Sequence, residues 1–163
     1  SVSALPLETC ETMNGMWGYK VADTNYKSAD ELVRLLVRTS AKGANLLLNI
    51  GPQPDGNLPA TAVLRLQEMG KWLKQYGSTI YDTEAGGLGD ADKIVSTRRG
   101  KEIYLHVLDA SLRTTQLECA LPVKRITKFG DNVPLRFSQK KHQLTFNLPE
   151  SQEVDRIFVL HLK

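Results

Sequence analysis

The 163-residue sequence contains few of the side chains that build metal or disulfide sites. Its two cysteines, Cys10 and Cys119, lie far apart and match no metal-binding spacing. Its three histidines, at positions 106, 142 and 161, share no such spacing either. We therefore predict neither a metal site nor a cofactor site. We also favour two buried free thiols over a disulfide bond, because free cysteine side chains tend to be buried.

Runs of like charge and long apolar runs are absent as well. The 21 basic residues are interleaved with 18 acidic ones, whereas a nucleic-acid-binding protein usually carries a basic stripe. No apolar stretch is long enough to span a bilayer. Apolar residues nevertheless make up 41% of the chain, which is enough for a packed core and excludes a disordered chain. We predict a folded chain that binds neither nucleic acid nor a membrane.

The first half of the sequence alternates strand-like and helix-like segments. Ser28 and Glu31 form a capping box at the start of a helical pattern that Gly43 ends. The run 45–51 is mostly apolar without alternation, which is typical of a parallel strand with both faces buried. A second helical pattern follows over 59–77. These segments predict part of an α/β architecture.

The pattern changes after residue 83. Residues 84–92 are rich in glycine and predict a linker. Beyond it, short segments with period-two alternation are separated by turn residues, which is typical of an antiparallel β-sandwich. We predict an α/β unit over 1–83, a linker over 84–92 and a β-sandwich over 93–163. The seven predicted strands of the sandwich are 93–98, 101–109, 115–120, 125–129, 133–137, 143–148 and 155–162.

Two strand–helix units cannot close a barrel by themselves. A parallel sheet of two strands leaves open edges and uncovered apolar side chains. We therefore expect residues 1–83 to be the end of a larger α/β domain. We also expect one face of the strand over 45–50 to lack a cover within this chain.

Several short motifs give residues 6–83 a specific resemblance to a known family. The motifs are Glu-Thr-Cys-Glu-Thr-Met-Asn at 8–14 with Trp-Gly-Tyr at 17–19, Asn-Tyr-Lys-Ser at 25–28, Lys-Gly-Ala-Asn-Leu-Leu-Leu-Asn-Ile-Gly-Pro at 42–52, and Gly-Lys-Trp-Leu at 70–73 followed by Gly77 and Ile-Tyr at 80–81. Any one motif alone would be weak, whereas the ordered set is specific. In this set the chain resembles the C-terminal portion of the retaining α-L-fucosidases, a family of glycoside hydrolases.

The resemblance implies a (β/α)8-like barrel followed by the sandwich, with the chemistry at the carboxyl ends of the barrel strands. It implies hydrolysis of terminal α-L-fucose with retention, by a nucleophilic Asp and an acid/base carboxylate roughly 5–5.5 Å apart. The family's nucleophile lies in a Trp-x-Asp segment and its sugar-binding histidines lie on earlier strands, and residues 1–83 contain neither feature. We expect the missing N-terminal part of the barrel to supply the nucleophile and this chain alone to be inactive.

Three residues are the candidates for the site. We predict Glu8 to be the acid/base, since the resemblance puts it at the mouth of a barrel strand. Glu11 is its rival and a candidate for substrate binding; in an extended segment the two side chains point to opposite faces, so only one faces the pocket. Trp17 resembles the family's Trp in the fucose pocket, where its ring would pack against the apolar face of the sugar. We interpret Asn45 and Asn49 as structural amides.

The substrate that the resemblance implies is a fucosylated oligosaccharide or glycoconjugate. The form of the 8–14 motif resembles a bacterial subgroup that prefers branched α-1,3/1,4-linked fucose, and such a substrate favours a periplasmic or secreted location. A carbohydrate-binding module is the second interpretation, which a row of exposed aromatic side chains on the sandwich would support. A catalytically inactive fucosidase-like protein with a structural role is the third, because the deciding Asp lies outside this sequence.

Overall fold

The computed structural model describes residues 5–90, 92–131 and 133–163. Two strands and two helices alternate in the first part, and the second part is built from strands. In chain order the elements are β1 (Leu7–Thr12), α1 (Ala29–Ala41), β2 (Ala44–Asn49), α2 (Ala60–Tyr76), a 3₁₀ turn (Gly77–Thr79), β3 (Glu84–Ala85), β4 (Ile94–Arg99), β5 (Glu102–Val107), β6 (Thr114–Glu118), β7 (Val123–Lys128), β8 (Phe137–Lys140), β9 (Gln143–Asn147) and β10 (Arg156–Leu162). Within these ranges no helix has the length and hydrophobicity that crossing a membrane requires.

Strands β1 and β2 pair in parallel, and the helices cover one of their faces. The register runs from Leu7 opposite Ala44 to Thr12 opposite Asn49. Leu48 packs against the apolar cluster that the helices contribute to. Helix α1 begins at the predicted capping box, since the Ser28 hydroxyl accepts the backbone N–H of Glu31 and the Glu31 carboxylate accepts that of Ser28. The predicted strand–helix order of this half is confirmed.

The opposite face of the parallel pair is uncovered. Leu47 is 51% exposed, and Cys10 on the neighbouring strand is also exposed. The expectation that one face of β2 lacks a cover is therefore confirmed. The prediction that both thiols are buried is wrong for Cys10, because its side chain lies on this open face; Cys119 is buried, and both thiols are free.

The second half is the predicted β-sandwich. A five-stranded sheet in the order β3-β4-β5-β10-β7 faces a three-stranded sheet in the order β6-β9-β8, and all pairs are antiparallel. Period-two alternation directs one set of side chains from each sheet into a shared core. The centre of that core is Ile103, Leu105, Leu117, Ile126, Leu144, Phe146, Phe158 and Leu160.

Two details of the sandwich differ from the prediction. Residues 133–137 were expected to form a strand, but β8 spans Phe137–Lys140, and Pro134 makes only an isolated bridge to Thr127. Proline lacks the N–H that a strand ladder needs, and pairing with β9 sets the register further along the chain. Within the predicted linker, Glu84–Ala85 forms β3 and pairs with β4.

The described part of 101–163 contains no helix, as the sandwich requires. The division into domains stays a prediction.

The five-stranded sheet is covered on both faces. Its second face packs against the helices of the first half, with Tyr104 and Val159 beside Trp72 and Tyr76 in one apolar cluster. Aromatic rings continue the contact, since the centroids of Trp72 and Tyr76 are 5.4 Å apart and those of Tyr76 and Phe129 are 5.9 Å apart. The sheet therefore joins the two halves of the chain.

A buried polar chain crosses the same contact. His106 and Asp155 are fully buried, with Nδ1 and Oδ2 2.6 Å apart. The other ring nitrogen lies 3.3 Å from the Thr97 hydroxyl, which donates to the carbonyl of Thr79 at 2.6 Å. Buried polar groups need such partners, so this chain ties strands of the sandwich to the 3₁₀ turn after α2.

Candidate functional site

The carboxyl ends of β1 and β2 meet at one edge of the parallel pair. Thr12 lies opposite Asn49, and the backbone N–H of Met13 donates to the carbonyl of Asn49 at 3.1 Å. From this edge the chain enters two loops, 13–28 after β1 and 50–59 after β2. Ligands of α/β folds bind at the carboxyl ends of parallel strands, so this edge is the candidate site.

The loop that carries Trp17 is held against the end of β2. The Asn49 side-chain amide donates to the carbonyl of Trp17 at 2.6 Å. A side chain at Gly51 would overlap with the backbone of Gly18 and Tyr19, so glycine permits the close approach of the two loops. The interpretation of Asn49 as a structural amide is confirmed, and the structure adds the partner that its amide serves.

Trp17 presents an open aromatic surface at this edge. Its side chain is 59% exposed, although tryptophan is highly buried on average. Asn49 and Gly51 contact the backbone from Trp17 to Tyr19, so the indole can offer a flat face to a ligand without being part of a core. An exposed ring on a fixed loop is suited to packing against the apolar face of a sugar.

Asp23 brings a carboxylate to the same loop. Its Oδ2 accepts a hydrogen bond from the Asn14 side chain at 3.2 Å, and its Oδ1 accepts the backbone N–H of Asn25 at 3.3 Å. Asn14 is 9% exposed. Burial and the charge of Asp23 together raise the pKa of Tyr26, so this phenol stays neutral. Sequence reasoning missed Asp23; the available signal was the Asp-x-Asn spacing of an Asx turn.

Glu11 is engaged by its own neighbourhood. In the parallel register it lies opposite Leu48, whose side chain packs toward the helices. Its carboxylate accepts the backbone N–H of Thr12 at 2.9 Å and lies 3.3 Å from the Lys27 ammonium, and these two contacts lower the pKa of Glu11. Lys27 also donates to the carbonyl of Thr12 at 2.6 Å. The arrangement fastens the start of α1 to the end of β1.

Glu8 lies on the opposite, open face, as the alternation of a strand requires. Its register partner is Asn45, and its side chain is exposed. The expectation that Glu8 lies at the mouth of the strand is wrong: it is the second residue of β1, four residues before Thr12. At roughly 3.3 Å per residue that is about 13 Å below the edge that holds Trp17. Its catalytic role stays a prediction.

The edge therefore offers an aromatic surface, one carboxylate and hydrogen-bonding amides. Beside it, a cavity of about 260 Å³ is lined by Asn14, Gly15, Asn25, Tyr26, Lys27 and Glu31. In the part of the chain that the structure describes, no three side chains of the types His, Cys, Asp and Glu are grouped to hold a metal ion. The chemistry that these groups support is recognition of a polyhydroxylated ligand with one flat apolar face.

Comparison with known proteins matches this architecture. The family described as "Alpha-L-fucosidase" matches residues 1–78. The chain is similar to human plasma α-L-fucosidase, with 43% identity over 79 residues that cover 47% of this chain and 17% of that protein.

Solved structures cover the sandwich as well. The α-L-fucosidase isoenzyme 1 from Paenibacillus thiaminolyticus superposes with a TM-score of 0.85 at 30% identity, over 98% of this chain and 40% of that chain. The Thermotoga maritima α-fucosidase in complex with a mechanism-based inhibitor gives a TM-score of 0.85 at 25% identity, with the same coverage.

The strand–helix units and the sandwich of this chain together superpose on part of these two solved structures. In sequence over residues 1–78 and in fold over 98% of its length, the chain is similar to the α-L-fucosidases. It spans 17% of the human protein and 40% of each of the two solved chains.

Proposed function

We propose that this chain is the C-terminal part of an α-L-fucosidase that releases terminal α-L-fucose from fucosylated glycans. The observation that carries the proposal is the open face of β1 and β2, with an exposed Trp17 fastened at its carboxyl edge. An uncovered parallel pair suits strands of a barrel whose other strands lie upstream. The similar Thermotoga maritima α-fucosidase was solved with a mechanism-based inhibitor, which supports a catalytic role for the protein that contains this chain.

The proposed reaction is a double displacement with retention. A nucleophilic Asp from the upstream part of the barrel attacks the sugar and forms a glycosyl-enzyme, while a second carboxylate protonates the leaving oxygen and then activates water. This chain contributes Trp17 to the sugar pocket and Glu8 as the acid/base. The side of β1 on which Glu8 lies favours it over Glu11, which Lys27 already engages. Because Glu8 lies near the start of β1, far from the carboxyl edge, Asp23 at that edge is the alternative acid/base.

The finer assignments belong to the same proposal. We propose a substrate with branched α-1,3/1,4-linked fucose, a bacterial source, and a periplasmic or secreted location. The support for these is the motif at 8–14 and the accessibility of such glycans outside the cytoplasm. The upstream barrel segment would cover the open face around Leu47.

Replacement of Glu8 in the protein that includes the upstream barrel tests the acid/base role. Glu8→Ala is expected to slow hydrolysis of a glycan substrate by about 10²–10⁴-fold, because the leaving oxygen loses its proton donor. An activated aryl fucoside needs little protonation, so its first step is expected to be much less affected. Added azide is expected to restore part of the turnover, since a small anion attacks the intermediate without a general base.

Matched variants separate the three carboxylates. Glu11→Gln and Asp23→Asn keep the size of each side chain and remove its charge. If Asp23→Asn shows the leaving-group dependence and azide rescue while Glu8→Ala stays within a few-fold of the wild type, Asp23 replaces Glu8 in the mechanism. The 163-residue chain alone is the negative control, and turnover by it would contradict the upstream nucleophile.

A further inference from the structure

Two adjoining cavities lie along strands β5, β7 and β10 of the five-stranded sheet, and the first of them also contacts the 3₁₀ turn. A cavity of about 310 Å³ is lined in part by Arg99, Tyr104 and Phe129. A second, of about 380 Å³, is lined in part by Lys101, Lys124 and Arg125. Glu102 and His161 line both, so the two cavities form one depression. We call it the β7 groove.

The net positive charge of the chain is concentrated in the β7 groove. Five of the 21 basic residues and two of the 18 acidic residues line it, so the remainder of the chain is formally neutral. A concave surface with an excess of one sign of charge attracts ligands of the opposite sign. The basic residues are Arg99, Lys101, Lys124, Arg125 and Lys128, and the acidic ones are Glu102 and Asp131.

Both carboxylates of the groove are already engaged. Glu102 accepts the phenol of Tyr104 at 2.9 Å and lies 3.4 Å from Nδ1 of His161. Asp131 accepts the backbone N–H of Val133 at 2.8 Å. Among the residues that the structure describes, neither carboxylate forms an ion pair with a lysine or arginine of the groove.

The cations around Lys124 lack such partners. Lys101 and Lys124 are exposed, and neither ammonium has a hydrogen-bond or ion-pair partner within the described ranges. The Arg125 guanidinium lies 3.5 Å from Nε2 of His161, which is not an anion. By contrast, Lys128 pairs with Glu153 at 3.1 Å, and Arg99 donates to Tyr104 at 2.7 Å. Of the described side chains, Glu102 is the one carboxylate that lines the second cavity beside these three cations, so the cavity keeps an excess of positive charge that would attract an anion.

We propose that the β7 groove binds an anionic sugar unit, sulfated or carboxylated, of a glycan. Lys101, Lys124 and Arg125 would hold the anionic group, and Arg is suited to both groups because its planar fork matches oxyanions. Half-buried Phe129 lines the same groove and offers an apolar face to a sugar ring. The choice of a glycan among anionic polymers rests on the proposed function.

Binding of dextran sulfate to the 163-residue chain, measured by isothermal titration, tests the proposal. Neutral dextran is the ligand control. The double variant Lys101→Glu and Lys124→Glu is expected to weaken binding at least about tenfold at 0.1 M salt, where charges within about 10 Å are not fully screened. The matched control is Lys71→Glu with Lys140→Glu, which makes the same change in net charge at exposed sites outside the groove and is expected to stay within twofold. Thermal unfolding checks that both variants fold.

Three outcomes would overturn the proposal. Equal weakening in both double variants would mean that net charge, and not the groove, drives binding. Tighter binding of a short DNA duplex than of dextran sulfate or a polyuronate would assign the surface to nucleic acid. Absence of binding by the wild-type chain would leave no anion site. Since none of these measurements requires turnover, they can fail while the fucosidase proposal stands, and the comparison of dextran sulfate with polyuronate identifies the anionic group.

Discussion

Asn49 ends β2 on the open face, beside the loop that carries Trp17. An exposed aromatic ring is useful for recognition only if the backbone that carries it is fixed, because ordering a loop on binding costs free energy. The amide of Asn49 supplies that constraint from a strand, which is more rigid than a loop, by its 2.6 Å bond to the Trp17 carbonyl. Asn45 lies on the same face of the strand, and its side chain makes no such bond within the described ranges.

Replacement of Asn49 by alanine is expected to loosen the Trp17 loop. A lost hydrogen bond of about 1 kcal/mol corresponds to roughly fivefold more frequent local opening. Tryptic cleavage after Lys20, which is exposed in this loop, should accelerate by that factor under native conditions. The control is Asn45→Ala, whose cleavage rate should match the wild type. Equal rates in Asn49→Ala and the wild type would mean that the loop is held by its backbone contacts alone.

Sequence alternation predicted correctly that Glu8 and Glu11 face opposite sides of β1. It could not predict how far each residue lies from the carboxyl end of β1, because the first and last residues of β1 depend on where β2 pairs with it. Asp23 was missed for a related reason, since its bond to Asn14 forms only when the loop folds back. Periodicity along a segment is local information, whereas the position of a side chain relative to the edge depends on pairing.

The capping box at the start of helix α1 could be identified from the four-residue motif at 28–31. The Ser28 hydroxyl and the Glu31 carboxylate satisfy backbone N–H groups at the start of the helix, which have no partner within it. The hydrogen bonds from Ser28 lower the pKa of Glu31. Asp30 lies in the same first turn and takes no part in these bonds.

Removal of the capping box is expected to destabilise the fold in a pH-dependent way. Ser28→Ala should lower the free energy of unfolding by about 1 kcal/mol. Glu31→Gln should also destabilise at neutral pH, because the folded pKa of Glu31 lies below its ordinary value and the ionised form therefore contributes stability above that value. This contribution is lost as pH falls through the lowered pKa, so the two proteins should converge at acid pH. Urea unfolding at neutral and acid pH measures it.

Asp30→Asn is the matched control for Glu31→Gln. Both substitutions remove one negative charge near the positive end of the helix dipole, but only Glu31 accepts the Ser28 bonds. If Asp30→Asn destabilised the chain as much as Glu31→Gln, the dipole and not the capping box would explain the effect.

Elements defined by local signals were predicted well, and elements defined by partners were not. The start of α1, the apolar run of β2 and the alternation of β5 are all visible in the sequence. Residues 133–137 also alternate, but the tight turn at Lys141 aligns Phe137 with Phe146 and so places β8 after that segment. A strand that pairs across a hairpin takes its bounds from the turn.

The two halves of the molecule share the five-stranded sheet as a common layer. One face of that sheet forms the sandwich core, and the other forms the core with the helices. The polar chain from Asp155 through His106 and Thr97 ends at Thr79, at the end of α2. We therefore expect the halves to unfold together.

Replacement of Thr97 by valine tests this coupling. The substitution keeps the shape of the side chain and leaves the buried Thr79 carbonyl without its donor, at a cost of about 1–3 kcal/mol. Amide hydrogen exchange should accelerate both in β4 and at the end of α2. Thr145→Val is the control, because the Thr145 side chain has no hydrogen bond within the described ranges. Acceleration confined to β4 and β5 would show that the halves open independently.

The place of β10 in the five-stranded sheet has a consequence for how the protein is made. β10 lies between β5 and β7, and among the described strands it comes after β1 to β9 in the sequence. During synthesis, β4, β5 and β7 leave the ribosome before the strand that joins them, so β7 has no neighbour in the sheet until β10 emerges. Nascent chains with an unfilled sheet expose unpaired strand edges and apolar side chains. Chaperone binding to nascent chains should therefore fall sharply once β10 has been released.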